Sequence, residues 1–443
     1  MNPLATQLNE QIRANNPQVL EMLSPFGKRL FFPKGILSQS AEAKEKAHRF
    51  NATIGIALEK GEAMHLACIR DMVKGLRPDD VFPYAPAAGK PALRDKWRQK
   101  QLAESPSLRD KQIGRPIATN ALTHGLTLVG DLFVEEGDTI LLPDKFWGNY
   151  RLILEVRKQG RIATYPFYSA SGGFDVQGLE KGIEEQAAGG KKLIVLLNFP
   201  NNPTGYSITR EEGEAICRVL IEAARKGTRL IVVLDEAYYG LFYADDLLRE
   251  SLLGMLANQD ERLLVVKLDG ATKEEFVWGF RVGFLTFGLG GTGDLGAVYE
   301  ALEKKTMGAI RGSISNSPHL PQTMVLKALE SPEFRSQQAE KFALLEGRAR
   351  KVMKVLENPK YAEAWTVYPF NAGYFMCLAI KGVEGEDLRK HLLDAYGVGL
   401  IAAGGNDVRV AFSCIEEENV EDLFELIYRG VMDLKRNGHG SQP

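Results

Sequence analysis

The sequence predicts an α/β protein: a mostly parallel β-sheet covered by helices on both faces, with a smaller α+β unit beside it. Three observations carry this reading. From about Pro116 to Gly288, short apolar runs alternate with segments of helical period, punctuated by Gly, Pro or Asn. The apolar runs are rich in β-branched residues and end in polar ones, as buried parallel strands do when they deliver side chains to one sheet edge. After Gly312 the character changes to long charged helical stretches that enclose two strand-like runs.

In chain order the strands are expected at TILLPD (139–144), RIATYPF (161–167), KLIVLLN (192–198), RLIVVLD (229–235), LLVVKLD (263–269) and VGFLTFG (282–288). Between the third and fourth, REEGEAICRVLIEAARKG (210–227) is amphipathic, acidic at its start and basic at its end, which suits the helix dipole. A helix is expected over 332–357, ahead of strands YFMCLAI (374–380) and VRVAF (408–412), with helices between and after them. No repeats or low-complexity segments interrupt the pattern.

The 443 residues suffice for one or two substantial cores, and 44% hydrophobic with 25% charged residues is an ordinary globular balance. A net charge of −2 with no basic block excludes the electrostatic footprint of a nucleic-acid binder. The four cysteines, Cys68, Cys217, Cys377 and Cys414, fit no metal spacing and read as small core residues of a reducing compartment. No run approaches the length of a membrane span and the N-terminus has no apolar signal region, so the expectation is a cytoplasmic protein that binds neither membrane, nucleic acid nor metal.

The most informative stretch is KLDGATKEEFVWGFRVG, from Lys267 to Gly283. Lys273 lies just past a buried strand and eight residues before Arg281. A lysine held in a dry pocket has its charged form disfavoured, which leaves the amine free to form a Schiff base. An arginine in a Gly-Phe-Arg-Val-Gly turn offers a planar fork for a phosphate. Lys267 is the competing lysine, disfavoured by its spacing to Arg281 and its place inside the strand. Upstream, LIVLLNFPNNPTG carries Asn202, and LIVVLDEAYYG carries Asp235 and Tyr238, each at the end of a strand-like run.

Taken in order, the Asn-Pro-Thr-Gly motif at Asn202, Asp235-x-x-Tyr238 and Lys273-x7-Arg281 resemble the aspartate-aminotransferase-like, fold type I pyridoxal-phosphate enzymes. Tyr84-Ala-Pro-x-x-Gly-x-x-x-Leu-Arg94 and Pro143-Asp-Lys-Phe-Trp147-Gly-Asn-Tyr150 agree, so the resemblance spans roughly residues 45 to 430. It implies that Lys273 is the Schiff-base lysine and proton shuttle, and that Asp235 pairs with the pyridine nitrogen. It implies that Tyr238 and Asn202 face the phenolic oxygen of the ring and that Trp147 stacks on its face. The phosphate is expected where Ala121-Leu122-Thr123 opens a helix from Thr123 to Val134, with Thr123 and Arg281 adding contacts. Tyr84 reaches in from a partner, so a homodimer with shared sites is implied.

Two residues depart from the family pattern: Leu122 stands where small or hydroxyl residues are usual, and Gly270 where a serine is. The phosphate cup is therefore expected to rely on backbone amides and Arg281. Arg409 resembles the arginine that grips the substrate α-carboxylate. Arg311, in Ala309-Ile-Arg-Gly-Ser-Ile-Ser-Asn316, resembles the one that binds the distal carboxylate of acidic substrates, which favours glutamate and 2-oxoglutarate. The domains implied are 66–330 for the large cofactor domain, 20–65 with 331–443 for a discontinuous small domain, and an arm over 1–19.

The function implied is amino-group transfer between an amino acid and a 2-oxo acid, with a pyridoxal-phosphate lyase or decarboxylase as the alternative. Gly288-Leu-Gly-Gly-Thr-Gly293 also satisfies the dinucleotide pattern GxGxxG and would point, more distantly, to a nicotinamide-dependent oxidoreductase. It closes the α/β series rather than opening it, and is expected to be a loop.

Overall fold

The computed structural model describes residues 1–15, 17, 20, 23–30, 36–187 and 192–439. Its centre is a seven-stranded sheet built from β1 (Ile117–Asn120), β2 (Thr139–Pro143), β3 (Arg161–Tyr165), β4 (Lys192–Asn198), β5 (Arg229–Asp235), β6 (Leu263–Gly270) and β7 (Val282–Leu289), in the order β1-β7-β6-β5-β4-β2-β3. All but β7 run the same way, because β7 pairs antiparallel with both β6 and β1. The reversal follows from chain length. Residues 271–281 between β6 and β7 are too few for the helical crossover that a parallel connection needs, so the chain turns back on itself.

β1 is an addition to the expected strands. Four residues, Ile-Ala-Thr-Asn, are too short to display a period in the sequence.

Alternate residues of the central strands feed two different cores, which is the signature of a sheet covered on both faces. In β4, Leu193, Val195 and Leu197 pack with Ile216 and Leu220 of α2 (Arg210–Arg225). Ile194 and Leu196 point the other way, onto Leu126 and Val129 of α1 (Ala121–Phe133). Helix α2 starts with a reciprocal Thr209–Glu212 capping box, as its acidic first turn anticipates. Helix α1 begins two residues earlier than expected, at Ala121 instead of Thr123.

The second sheet is antiparallel: β8 (Trp365–Val367), β9 (Met376–Ile380), β11 (Asp407–Val410) and β10 (Ile401–Gly404), in that order. Helices α4 (Phe334–Leu356) and α5 (Val420–His439) belong to the same C-terminal part, and α3 (Leu295–Ser313) follows β7. The N-terminal segment joins this part. Phe50 and Asn51 pair with Val398 and Gly399, and the Ala411 amide donates to the Ala52 carbonyl at 2.9 Å. Of the expected arm over 1–19, residues 3–15 form a helix, while 16, 18 and 19 lie outside the described residues, as do 21, 22 and 31–35 of the adjoining segment. Among the described residues no helix is long and apolar enough to cross a membrane, and no group of His, Cys, Asp and Glu is arranged to hold a metal.

Candidate active site

Parallel strands bring their C-terminal ends to one edge, and the register shows which residues meet there. Asn198 is opposite Asp235 across β4 and β5, and Asp235 is opposite Leu268 of β6. Asn120, which ends β1, is opposite Val282, where β7 starts. Just beyond this edge lies a cavity with about 170 Å³ of water-accessible space. That is roughly ten times what a single water needs. It is bordered by Leu122, Thr123, Trp147, Asn202, Asp235, Tyr238, Lys273, Arg281 and Arg409, nine of the eleven residues singled out in the sequence.

The strand direction also settles the glycine-rich loop. Gly288 and Leu289 are the last two residues of antiparallel β7 and not part of a loop as expected, and Gly290 to Gly293 follow them; Leu289 faces Leu264 near the start of β6. The loop is therefore at the opposite edge of the sheet from the cavity.

Lys273 sits in the short turn after β6, its ammonium 5.0 Å from the centre of the Tyr238 ring. Burial pushes its pKa down to about 8, with Arg281 adding to the effect and Asp235 opposing it. Lys267 has a different environment. It is buried inside β6, 2.7 Å from Glu236 and 3.3 Å from Asp269, an ion cluster that holds it charged.

Asp235 is buried at the end of β5. It accepts the Tyr150 hydroxyl at 2.7 Å and the Ala237 amide at 3.1 Å. Burial raises its pKa, and the Tyr150 hydrogen bond and the Lys273 charge pull the other way. Burial likewise raises the pKa of Tyr238, against the opposing charge of Arg409.

Arg409 is 2% exposed and pairs with no carboxylate among the described residues. Its Nη1 donates to Asn202 Oδ1 at 3.0 Å and its Nη2 to the Thr53 carbonyl at 2.9 Å, while Nε has no partner among the described residues. The guanidinium lies 4.1 Å from the centre of the Phe375 ring. Asn202 is held in place by its own amide, which donates to Asn198 Oδ1 at 2.8 Å.

At the other end of the cavity are the start of α1 and Arg281. Ala121 and Arg281 both adopt left-handed backbone, φ 59° and 54°. Non-glycine residues there carry strain of about 1–3 kcal/mol each, and such positions gather at functional sites. The first amides of α1 make this a favourable position for an anion. Thr272, a cavity-wall residue that the sequence did not single out, supplies a hydroxyl: its Oγ1 is buried with no hydrogen-bond partner among the described residues.

The departures at Leu122 and Gly270 are packed against each other. A Cβ on Gly270 would lie 2.7 Å from Gly283 Cα and 3.1 Å from Leu122 Cδ1, so the close approach of β7 leaves no room for a serine. The sequence also held no sign that Tyr150 would reach Asp235, 85 residues away. Nor did it single out Gly55 or Phe375, which border the cavity.

Tyr84 and Arg311 are the two exceptions. Tyr84 is 90% exposed, and Arg311 is an exposed residue of α3 bonded to Ser315. They share a surface hollow with Asn316 and His319 and do not border the cavity of their own chain.

These residues suit a phosphorylated, ring-bearing cofactor with a carbonyl. One cavity wall carries a hydroxyl without a partner among the described residues, an arginine, a helix start, a buried carboxyl and a lysine with a depressed pKa. Fold and site together define a pyridoxal-phosphate enzyme of fold type I.

The chain belongs to the aminotransferase class I and II family, which it matches over residues 58–427. The members of this family are pyridoxal-phosphate-dependent amino-group transferases. A probable aspartate/prephenate aminotransferase of Aquifex aeolicus is 25% identical over 308 residues, 68% of this chain and 70% of that protein. The aspartate aminotransferase of Bacillus sp. strain YM-2 is 24% identical over 258 residues, and the chain spans only 60% of its length. Among solved structures, an aminotransferase from Anaerococcus prevotii superposes with a TM-score of 0.81 at 23% identity, covering 92% of this chain and 98% of that one. This last likeness is one of fold.

Proposed function

We propose that this chain transfers an amino group between an amino acid and a 2-oxo acid, at least one of them acidic, using pyridoxal 5′-phosphate held in the cavity beyond β4, β5 and β6. The observation that carries the proposal is Lys273, a lysine with depressed pKa on a cavity wall that also bears a buried carboxyl and two arginines with no acidic partner among the described residues. When bound, the cofactor supplies a ring that withdraws electrons from the substrate Cα.

Asp235 would hold the ring nitrogen, and its bonds from Tyr150 and Ala237 keep the carboxylate aimed from the base of the site. Arg281, Thr272, Thr123 and the first amides of α1, including Leu122, would hold the phosphate. Trp147 would cover one ring face, and Asn202 and Tyr238 would meet the phenolic oxygen. Arg409 binds the substrate α-carboxylate, with its unpartnered Nε as the free donor. Lys273 Nζ, neutral in a good fraction of molecules near pH 8, accepts the proton from Cα and returns it to a different carbon.

The chain is read as a homodimer in which Tyr84 and Arg311 serve the partner's site. Their shared hollow, bordered by Val81, Pro83 and Ile314 and adjoined in sequence by Phe82 at 82% exposure, supports this. Arg311 then recognises a distal carboxylate, and the names of the relatives support an acidic substrate. The division into 66–330, 20–65 with 331–443, and an arm over 1–19 is part of the same reading, as is a cytoplasmic location, which the four free cysteines support.

The test is to incubate the cofactor-loaded protein with single amino acids and measure 2-oxo acid, ammonia and carbon dioxide. A stoichiometric 2-oxo acid without ammonia or carbon dioxide is expected. Release of ammonia or carbon dioxide would transfer the chain to the lyase or decarboxylase alternative. Arg311→Ala should impair glutamate more than alanine; equal losses, or none, remove Arg311 from the site. A fully active monomer in sedimentation would refute the shared site.

A further inference from the structure

Asp407 and Arg409 are two apart on β11 and so extend from the same face of the strand. Both meet the central-sheet part of the molecule. Arg409 reaches Asn202, and Asp407 Oδ2 forms an ion pair with Lys145 Nζ at 2.6 Å, across 262 residues of sequence. Lys145 is two residues before Trp147, in the loop after β2. The Lys145 carbonyl in turn accepts Asn201 Nδ2 at 3.2 Å, and Asn201 is the neighbour of Asn202. The contacts therefore close a ring: Lys145 to Asn201, Asn202 to Arg409, and along the strand through Asp407 back to Lys145.

The carboxylate in this ring is held on both oxygens. Tyr368 donates its hydroxyl to Asp407 Oδ1 at 2.9 Å. Tyr368 is itself stacked on Tyr168, with ring centres 5.5 Å apart at 9°, and the Tyr168 hydroxyl donates to the Pro369 carbonyl at 2.8 Å. Lys145 thus pairs with a carboxylate whose orientation is already set. The pair is mostly shielded, with side chains 24% and 10% exposed, which limits screening by salt. Burial alone would lower the Lys145 pKa, and Asp407 outweighs it, raising the ammonium to about 12.

We propose that Lys145 and Asp407 form a clasp that fixes Arg409 relative to Asn202 and Trp147, making both of them positioning residues for substrate binding. Neither borders the cavity. The inference rests on the reading of Arg409 as the ligand of the substrate α-carboxylate. Without the ammonium, the Trp147 loop and β11 lose their direct charged link, and the arginine keeps its partners but loses its fixed distance from the ring-covering aromatic. A misplacement of about 1 Å is enough to weaken the hold on a substrate carboxylate.

The experiment compares Lys145→Met, Lys145→Arg, Asp407→Asn and Arg409→Gln in the cofactor-loaded protein, with L-glutamate and L-alanine as donors. Lys145→Met and Asp407→Asn should raise the apparent KM of both donors roughly tenfold with kcat within about threefold, because both carry the α-carboxylate. Lys145→Arg should return most of the loss. In the absence of donor, amide exchange over residues 145–150 and 407–410 should rise in Lys145→Met and fall back in Lys145→Arg.

Unchanged KM and exchange in Lys145→Met, while Arg409→Gln raises KM, would overturn the clasp and leave the arginine reading standing. Unchanged KM in Arg409→Gln would instead overturn the arginine reading, and the clasp with it. A shift for glutamate alone, or a fall in kcat at constant KM, would also refute the clasp.

Discussion

Lys273→Met should remove a pH dependence of stability that the fold imposes on one amine. In the cofactor-free protein, burial holds Lys273 near pKa 8, against 10.5 for a solvated lysine. Between these two values the unfolded chain binds more protons at this position than the folded one, so stability rises with pH through that window. Below about pH 8 the penalty is fully present, and above about pH 10.5 it is gone. The difference of 10.5 − 8 = 2.5 units corresponds to about 3 kcal/mol at 1.36 kcal/mol per unit. Solvent reaches the amine along the cavity, so about 2 kcal/mol is the expected effect. Urea denaturation of both cofactor-free proteins between about pH 7 and 11, a range that spans both pKa values, measures it, and the other lysines and tyrosines cancel in the comparison. The wild-type protein should gain on the variant by that amount as pH rises. Parallel stability curves would show that Lys273 titrates like a surface lysine, and the argument for a neutral amine near pH 8 would fail.

Thr272→Val should weaken pyridoxal-phosphate binding about tenfold by absorbance titration, the worth of one hydrogen bond to a charged group; unchanged affinity would remove Thr272 from the phosphate cup. Gly270→Ser, which restores the family's usual residue, should destabilise the protein by about 1–3 kcal/mol in thermal unfolding without tightening cofactor binding, since β7 occupies the space. Lys267→Met should cost about 3–5 kcal/mol by stranding Glu236 and Asp269, yet borohydride treatment of the loaded protein should still fix the cofactor on Lys273. A label found on Lys267 in the parent protein would shift the whole register of the site.

The sequence alone was enough to determine the alternating α/β architecture, and the reason is local. A strand buried on both faces has to be apolar throughout, so Leu193 to Leu197 and Leu230 to Leu234 stand out as runs. Residues at strand ends are drawn to a common sheet edge, so Asn202, Asp235 and Lys273 could be read as neighbours from their order alone. What tertiary structure decided lies in contacts with no local period. The antiparallel course of β7 removed the glycine-rich loop from the site and pressed Gly283 against Gly270. Packing of the helices on the sheet brought Tyr150 to Asp235 and left the Thr272 hydroxyl without a partner. Arg311 and Tyr84 fell outside their own chain's cavity because α3 and the loop at Tyr84 lie on an outer face. Lys145 and Asp407 met only because two separate sheets docked. Such pairs are set by the relative placement of whole elements, which the sequence determines collectively and no single stretch of it displays.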